Sequence, residues 1–245
     1  MRKEDLRNEI QKQIDNGIKN SSKLSGYAKK IRNGNGTYKD LYDYSSAMSA
    51  YVKNGISVTL AKHGGDEMNA VFLKEIDGML GSEILKPLFE NYHGSLINLS
   101  ASKMQQDLKA LSLGIRPIKT DATYTRLYDL LKPFDDATEL KQVFDYLEGE
   151  RIEQFYNASL DEFIQENAAF QYEAGLTTVL VRTANGNCCA FCNNLEGVYE
   201  YDGTPECGTG ENLFARHTGC TCTIDVRTER AKSFERVNNY RRRKK

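Results

Sequence analysis

The chain has 245 residues, a formal net charge of −1, 40% hydrophobic residues and 27% charged residues, the balance of an ordinary soluble protein with enough chain to bury a core. No apolar run reaches the ~20 residues that a membrane span needs, and the charged start MRKEDLRNEIQKQID does not read as a secretory signal. The near-zero charge hides an asymmetry: Arg227 to Lys245 carries nine Lys or Arg against Glu229 and Glu235, a net of about +7 that leaves about −8 on the remainder.

In chain order, the first ~175 residues read as helical. Leu6, Ile10, Ile14 and Ile18 recur every four residues and share one helical face. The run Asn33–Gly36 is a break, and a second helix is expected from about Tyr38 to Ala61, with Leu41, Tyr44, Met48, Tyr51 and Val52 on one side. The His63-Gly64-Gly65 run ends it. Shorter helices are expected near Glu67–Met79, Glu83–Asn91, Ser102–Leu111 and Tyr124–Leu131. Asp136 with Glu139 three positions on has the spacing of a capping box, ahead of a helix that turns Val143, Phe144 and Leu147 inward. A longer helix follows, with Ile152, Phe155, Tyr156, Leu160, Phe163 and Phe170 as a core-facing stripe and Gly175 as its stop.

The pattern then changes. Thr177–Thr183 (TTVLVRT) is β-branched and reads as a strand, Asn185-Gly186 as a turn, and Gly197–Tyr201 (GVYEY) as a second strand. A polar, Gly-rich loop over Asp202–Asn212 precedes two short extended pieces, Leu213–Arg216 and Thr221–Val226. The expected fold class is therefore mainly α: a helical body over residues 1–175, a small β-rich module over 176–226, and a basic, flexible tail over 227–245.

All six cysteines lie between Cys188 and Cys222. A disulfide scaffold would scatter them, whereas clustering favours metal. Cys189-Ala-Phe-Cys192 is a C-x-x-C, and His217-Thr-Gly-Cys220 is an H-x-x-C followed by Cys222. Two intervening residues let both sulfurs of a knuckle turn toward one point, and a second pair closes a tetrahedron across the loop. Zinc takes four such N/S ligands, and a closed set leaves no position for water, which is the structural type. There are five candidates for four places: Cys189 and Cys192 from the first element, and two of His217, Cys220 and Cys222 from the second. Cys188 points away from the knuckle and Cys207 sits in the loop, so neither is expected to bind.

Several catalytic designs lack their parts. A thioredoxin-like C-x-x-C opens a helix, whereas here Asn193–Gly197 leads into a strand. Zinc deaminases need H-x-E and P-C-x-x-C, and neither occurs. A His-Asn-His nuclease needs several neighbouring histidines, and only His217 lies in the module; His63 and His93 fall at expected helix ends as solvated or capping residues. The chain has no P-loop and no Gly-rich phosphate cradle.

The run VRTANGNCCAFCNNLEGVYEYDGT…ENLFARHTGCTCTIDV resembles the C-terminal module of phage minor head proteins of the Mu F / SPP1 gene 7 type. The matching positions are Cys189, Cys192, Leu195, Gly197, Tyr199, His217, Cys220 and Cys222, about a fifth of the chain. Thr218 and Thr221 stand where the family often has Pro and Arg, and Cys188 and Cys207 are outside its pattern. The resemblance implies a non-enzymatic minor capsid or head morphogenesis protein, assembled in the bacterial cytoplasm into the virion. It would associate with the portal protein or the major capsid protein, and some such proteins leave with the DNA. The terminal Arg241, Arg242, Arg243, Lys244 and Lys245 could neutralise phosphates of non-specific DNA, each releasing counterions. The alternative function is a zinc-stapled nuclease or toxin-like effector.

Overall fold

The computed structural model describes residues 2–64, 73, 79–185, 189–217 and 219–229. The expected helix at Glu67–Met79 therefore lies almost wholly outside the described residues, as do Cys188, Thr218, and the tail with Arg241–Lys245.

The protein is mainly helical with one small sheet. Helices α1 (Lys3–Asn20), α2 (Ser22–Arg32) and α3 (Tyr38–His63) are followed by a π-helical stretch, Leu80–Leu85. Then come α4 (Lys86–Ala110), α5 (Tyr124–Asp135), α6 (Leu140–Glu148) and α7 (Arg151–Glu173). Strand β1 (Thr177–Thr183), a single helical turn α8 (Ala190–Asn194), and strands β2 (Gly197–Glu200) and β3 (Thr223–Glu229) complete the described elements. No helix among the described residues is long and apolar enough to cross a membrane.

The chain forms two compact units, each assembled from separate segments. One comprises Met1–Lys29, Asp43–Leu96 and Asp121–Asn157; the other comprises Lys30–Tyr42, Ile97–Thr120 and Ala158–Lys245. The β-rich segment thus shares its unit with helical residues drawn from α2, α3, α4 and α7.

In the first unit the four-residue repeat of α1 buries Leu6, Ile10 and Ile14 completely. They meet α3 at a close approach: a Cβ on Gly55 would lie 2.4 Å from Ile14 Cγ1 and 3.0 Å from Ile14 N. Glycine is unfavourable mid-helix by about 1 kcal/mol relative to alanine, and here it lets two backbones touch. Asp135 at the end of α5 accepts the N–H groups of Gly81 at 2.7 Å and Ser82 at 3.1 Å, so a carboxylate satisfies the orphan donors that open the π-helical stretch. The aromatic stripe of α7 is core: Phe155 packs edge-on to Phe89 at 6.1 Å, and Tyr156 is fully buried.

Three expectations need correcting. The expected helices Glu83–Asn91 and Ser102–Leu111 are parts of one longer run, because Leu88, Phe89, Tyr92, Leu96, Ile97, Met104 and Leu108 keep one buried face through His93-Gly94. His93 is therefore not at a helix end; it is 3% exposed within α4, and burial lowers its pKa. The capping box sits one turn later than expected. Asp136 closes α5, its N–H bonded to Lys132 O, while Glu139 caps α6 and Gln142 Oε1 accepts the N–H of Thr138 at 2.7 Å and of Glu139 at 3.3 Å. His63, at the end of α3, places Nε2 2.6 Å from Glu9 Oε2.

In the second unit, Gly34 and Gly175 stop α2 and α7 at positive φ. Each is followed by an N–H bonded back five residues, Asn35 to Lys30 O and Leu176 to Gln171 O. Thr37 and Asp40 form a reciprocal cap that opens α3. The sheet is antiparallel with order β2-β1-β3. Thr178, Leu180 and Arg182 occupy the inward face of the central strand, opposite Thr228, Val226 and Ile224 of β3. Gln171 of α7 anchors both strands, accepting the hydroxyls of Thr178 at 3.3 Å and Thr228 at 2.6 Å. Leu213 and Phe214 form a turn, not the expected extended piece, because Leu213 N–H bonds to Pro205 O.

Candidate metal centre

The sequence after β1 folds the C-x-x-C into one helical turn. Cys189 is the N-cap of α8 in extended geometry and Cys192 lies inside it. Backbone N–H groups of Cys192 and Phe191 point at the Cys189 sulfur and lower its pKa, while the thiol itself stays exposed. Cys192 is 1% exposed; burial, with the neighbouring thiols, pushes its pKa up to about 12. The presence of a helical turn corrects the expectation that Asn193 onward leads straight to a strand, yet the turn lasts five residues and β2 follows it.

The distal element is a turn as well. Cys220 N–H bonds to His217 O at 3.1 Å, and Gly219 takes φ +77° between them, a conformation that suits a residue without Cβ. Cys220 and Cys222 precede β3 and do not lie in it, and both are buried.

These elements bring all five expected donors together. The ligand atoms of Cys189, Cys192 and His217 lie within 4.8 Å of one another, and so do those of Cys192, Cys220 and Cys222. Cys192 is common to both groups. His217 Nε2 is 3.1 Å from the Cys189 sulfur and 3.1 Å from that of Cys192, and the Cys192 and Cys220 sulfurs are 3.7 Å apart. A tetrahedral zinc with Zn–S near 2.3 Å has S–S edges of about 3.7 Å. The donor set is thus chemically and geometrically suited to a metal ion. Cys207, in the loop with φ +45°, stands outside both groups; its thiol bonds to Thr204 O at 3.4 Å, and burial pushes its pKa up to about 11.

Two arginines that sequence reasoning passed over flank the sulfurs. Arg182 is 2% exposed and donates to Leu213 O, to Ala215 O at 3.1 Å, and toward the Cys192 sulfur at 3.9 Å. In the sheet it sits opposite Gly197, one of the residues of the sequence motif. Arg216 forms a two-point ion pair with the buried Asp161 of α7, through Nε to Oδ2 and Nη2 to Oδ1 at 2.9 Å. Its remaining donors reach Cys222 O at 2.8 Å, Cys220 O at 3.3 Å and the Cys220 sulfur at 3.8 Å. Tyr42 donates to Asp161 Oδ1 at 2.5 Å, and the Arg216 guanidinium lies 5.2 Å from its ring centroid. Burial opposes the Arg216 charge, but the Asp161 carboxylate outweighs it and the pKa is raised. The one signal in the sequence for these residues was an arginine at an inward strand position, Arg182, where an apolar residue is expected.

No family model matches the chain, and no curated protein or solved structure matches it.

Proposed function

We propose that residues 176–226 form a structural zinc module, held by four of Cys189, Cys192, His217, Cys220 and Cys222, in a non-enzymatic minor capsid or head morphogenesis protein of a tailed phage. The observation that carries the zinc reading is the convergence of the five donors on Cys192 from two separate turns. Four soft ligands fill a tetrahedral zinc and leave no open position for a hydrolytic water, so the metal's contribution is folding energy. The residues do the rest: α8 aims backbone N–H groups at a sulfur, the Gly219 turn presents His217 and Cys220 together, and the buried arginines bring positive charge to the thiolates.

The head-protein reading is supported by the motif of the C-x-x-C, Leu195, Gly197, Tyr199 and the distal H-x-x-C-x-C. It assigns the portal protein or the major capsid protein as partner and the virion as destination. The tail with Arg241–Lys245 is assigned to non-specific contact with packaged DNA. The test is co-purification with the portal protein encoded by a neighbouring gene, together with assays for hydrolysis of DNA and RNA. Retention on the portal without turnover supports the reading; nuclease activity lost with a point substitution overturns it in favour of an effector. For the tail, deleting Arg241–Lys245 should weaken DNA binding and flatten its salt dependence, whereas an unchanged slope removes DNA from the list of partners.

A further inference from the structure

Arg182 is a buried guanidinium that meets no carboxylate among the described residues. Among the described residues its partners are two main-chain carbonyls and the Cys192 sulfur, and its Nε has no acceptor. A buried charge without a counter-charge is strongly unfavourable, so buried arginines are paired. Arg216, the other guanidinium at the sulfurs, is already neutralised by Asp161. The anion that Arg182 requires must therefore come from the sulfur cluster itself, and it must amount to about one charge.

That ledger distinguishes the possible ligand sets. A zinc ion with four thiolates carries −2, which leaves −1 beside Arg182. Three thiolates and a neutral imidazole carry −1, which Arg182 balances. Geometry selects the members. Cys189, Cys192 and His217 are mutually close. Cys220 lies at a tetrahedral edge from Cys192, and the Gly219 turn links it to His217. Cys220 and Cys222 both belong to the group that lacks His217, and both approach Cys192; only Cys220 closes the turn that starts at His217, so that these two side chains are presented from one short element.

We propose that the metal ligands are Cys189, Cys192, His217 and Cys220, that Cys222 is a buried thiol outside the first coordination sphere, and that Arg182 is the positioning residue that balances the charge of the centre. The inference rests on the zinc reading above and names which of the five donors hold the ion and why.

The experiment uses cobalt(II) in place of zinc in the full chain. Its sulfur-to-metal charge-transfer intensity reports the number of bound thiolates, and its d–d bands report the geometry and the presence of nitrogen. The expected spectrum is that of a tetrahedral centre with three thiolates and one nitrogen. Cys222→Ser leaves it unchanged, while His217→Ala shifts the d–d bands and weakens binding. Arg182→Gln keeps the thiolate count but weakens cobalt affinity by roughly 10–100-fold in competition with a chelator, as loss of an outer partner does. Arg182→Lys, which restores the charge, recovers part of that loss. A spectrum of four thiolates that His217→Ala does not alter overturns this ligand set while leaving the metal reading intact. Failure of the folded, reduced wild-type chain to bind cobalt or zinc overturns both. Full affinity in folded Arg182→Gln removes the charge-balancing role.

Discussion

Cys192 and His217 are 25 residues apart in the chain, yet the Cys192 sulfur and His217 Nε2 are 3.1 Å apart. Neither belongs to a strand: one sits in a five-residue helical turn and the other begins a turn closed by Cys220. What the sheet contributes is the placement of the two turns, through β1 and its neighbours.

Protein purified without chelator should therefore contain about one zinc per chain. Cys192→Ser should lose it and loosen the two turns that carry the donors, because a structural metal that joins two turns supplies folding energy to both. Helical circular dichroism should largely persist. A metal-free, folded preparation with these cysteines joined in disulfides would falsify the zinc assignment.

In the metal-free, reduced chain Cys189 and Cys192 should react in a defined order. Cys189 is exposed and its pKa is lowered by the backbone N–H of Cys192; Cys192 is buried and pushed up to about 12. The thiolate is the nucleophile, so iodoacetamide near neutral pH should modify Cys189 before Cys192. Zinc should protect Cys189. Peptide mass spectrometry checks the order, and equal labelling of the two would contradict the burial of Cys192.

Asp225 gives a pH prediction of defined sign. Its carboxyl is raised above the ordinary value by burial, against the pull of Arg227 and Lys103, and its Oδ1 has no hydrogen-bond partner. A raised folded pKa favours the native state below the unfolded pKa and loses that advantage as pH rises through the folded value. At neutral pH the charged carboxylate is thus a burden, and Asp225→Asn should raise the melting temperature. The gain should shrink as the pH falls toward the ordinary carboxylate range near ~4. A lowered melting temperature at neutral pH would mean that the carboxylate is effectively paired.

On the proposed head-protein reading, the six tyrosines of α3 and α5 offer candidates for the partner surface. Tyr38 and Tyr42 are buried and Tyr44 and Tyr51 half-buried, whereas Tyr124 is 75% exposed and Tyr128 49%. These last two stack with centroids 6.2 Å apart. Tyrosine combines a large apolar face with a polar tip, which suits a surface that is wet before assembly and covered afterwards. Changing both to serine should shift stability by no more than about 0.5 kcal/mol each and reduce capture by the portal protein. Undiminished capture would move the interface elsewhere.

Local patterns were sufficient for much of this chain. The spacing of Leu6, Ile10 and Ile14, the β-branched run Thr177–Thr183 and the Gly175 stop each report a conformation set by neighbours within one or two turns, and each appears as expected. The cysteine–histidine cluster was legible for the same reason, since Cys189 and Cys192 sit in one short turn and His217 and Cys220 in another. Tertiary structure alone decided the rest. Asp161 meets Arg216 across 55 residues, Tyr42 reaches Asp161 across 119, and Asp135 caps Gly81 across 54. Such pairs leave no periodic trace, because a buried polar residue is tolerated only where a distant partner arrives to satisfy it. The same holds for Arg182, whose place opposite Gly197 and beside Cys192 follows from the register of β1 with β2. Register depends on which face of the sheet is buried, and that is a property of the packed unit and not of the strand by itself.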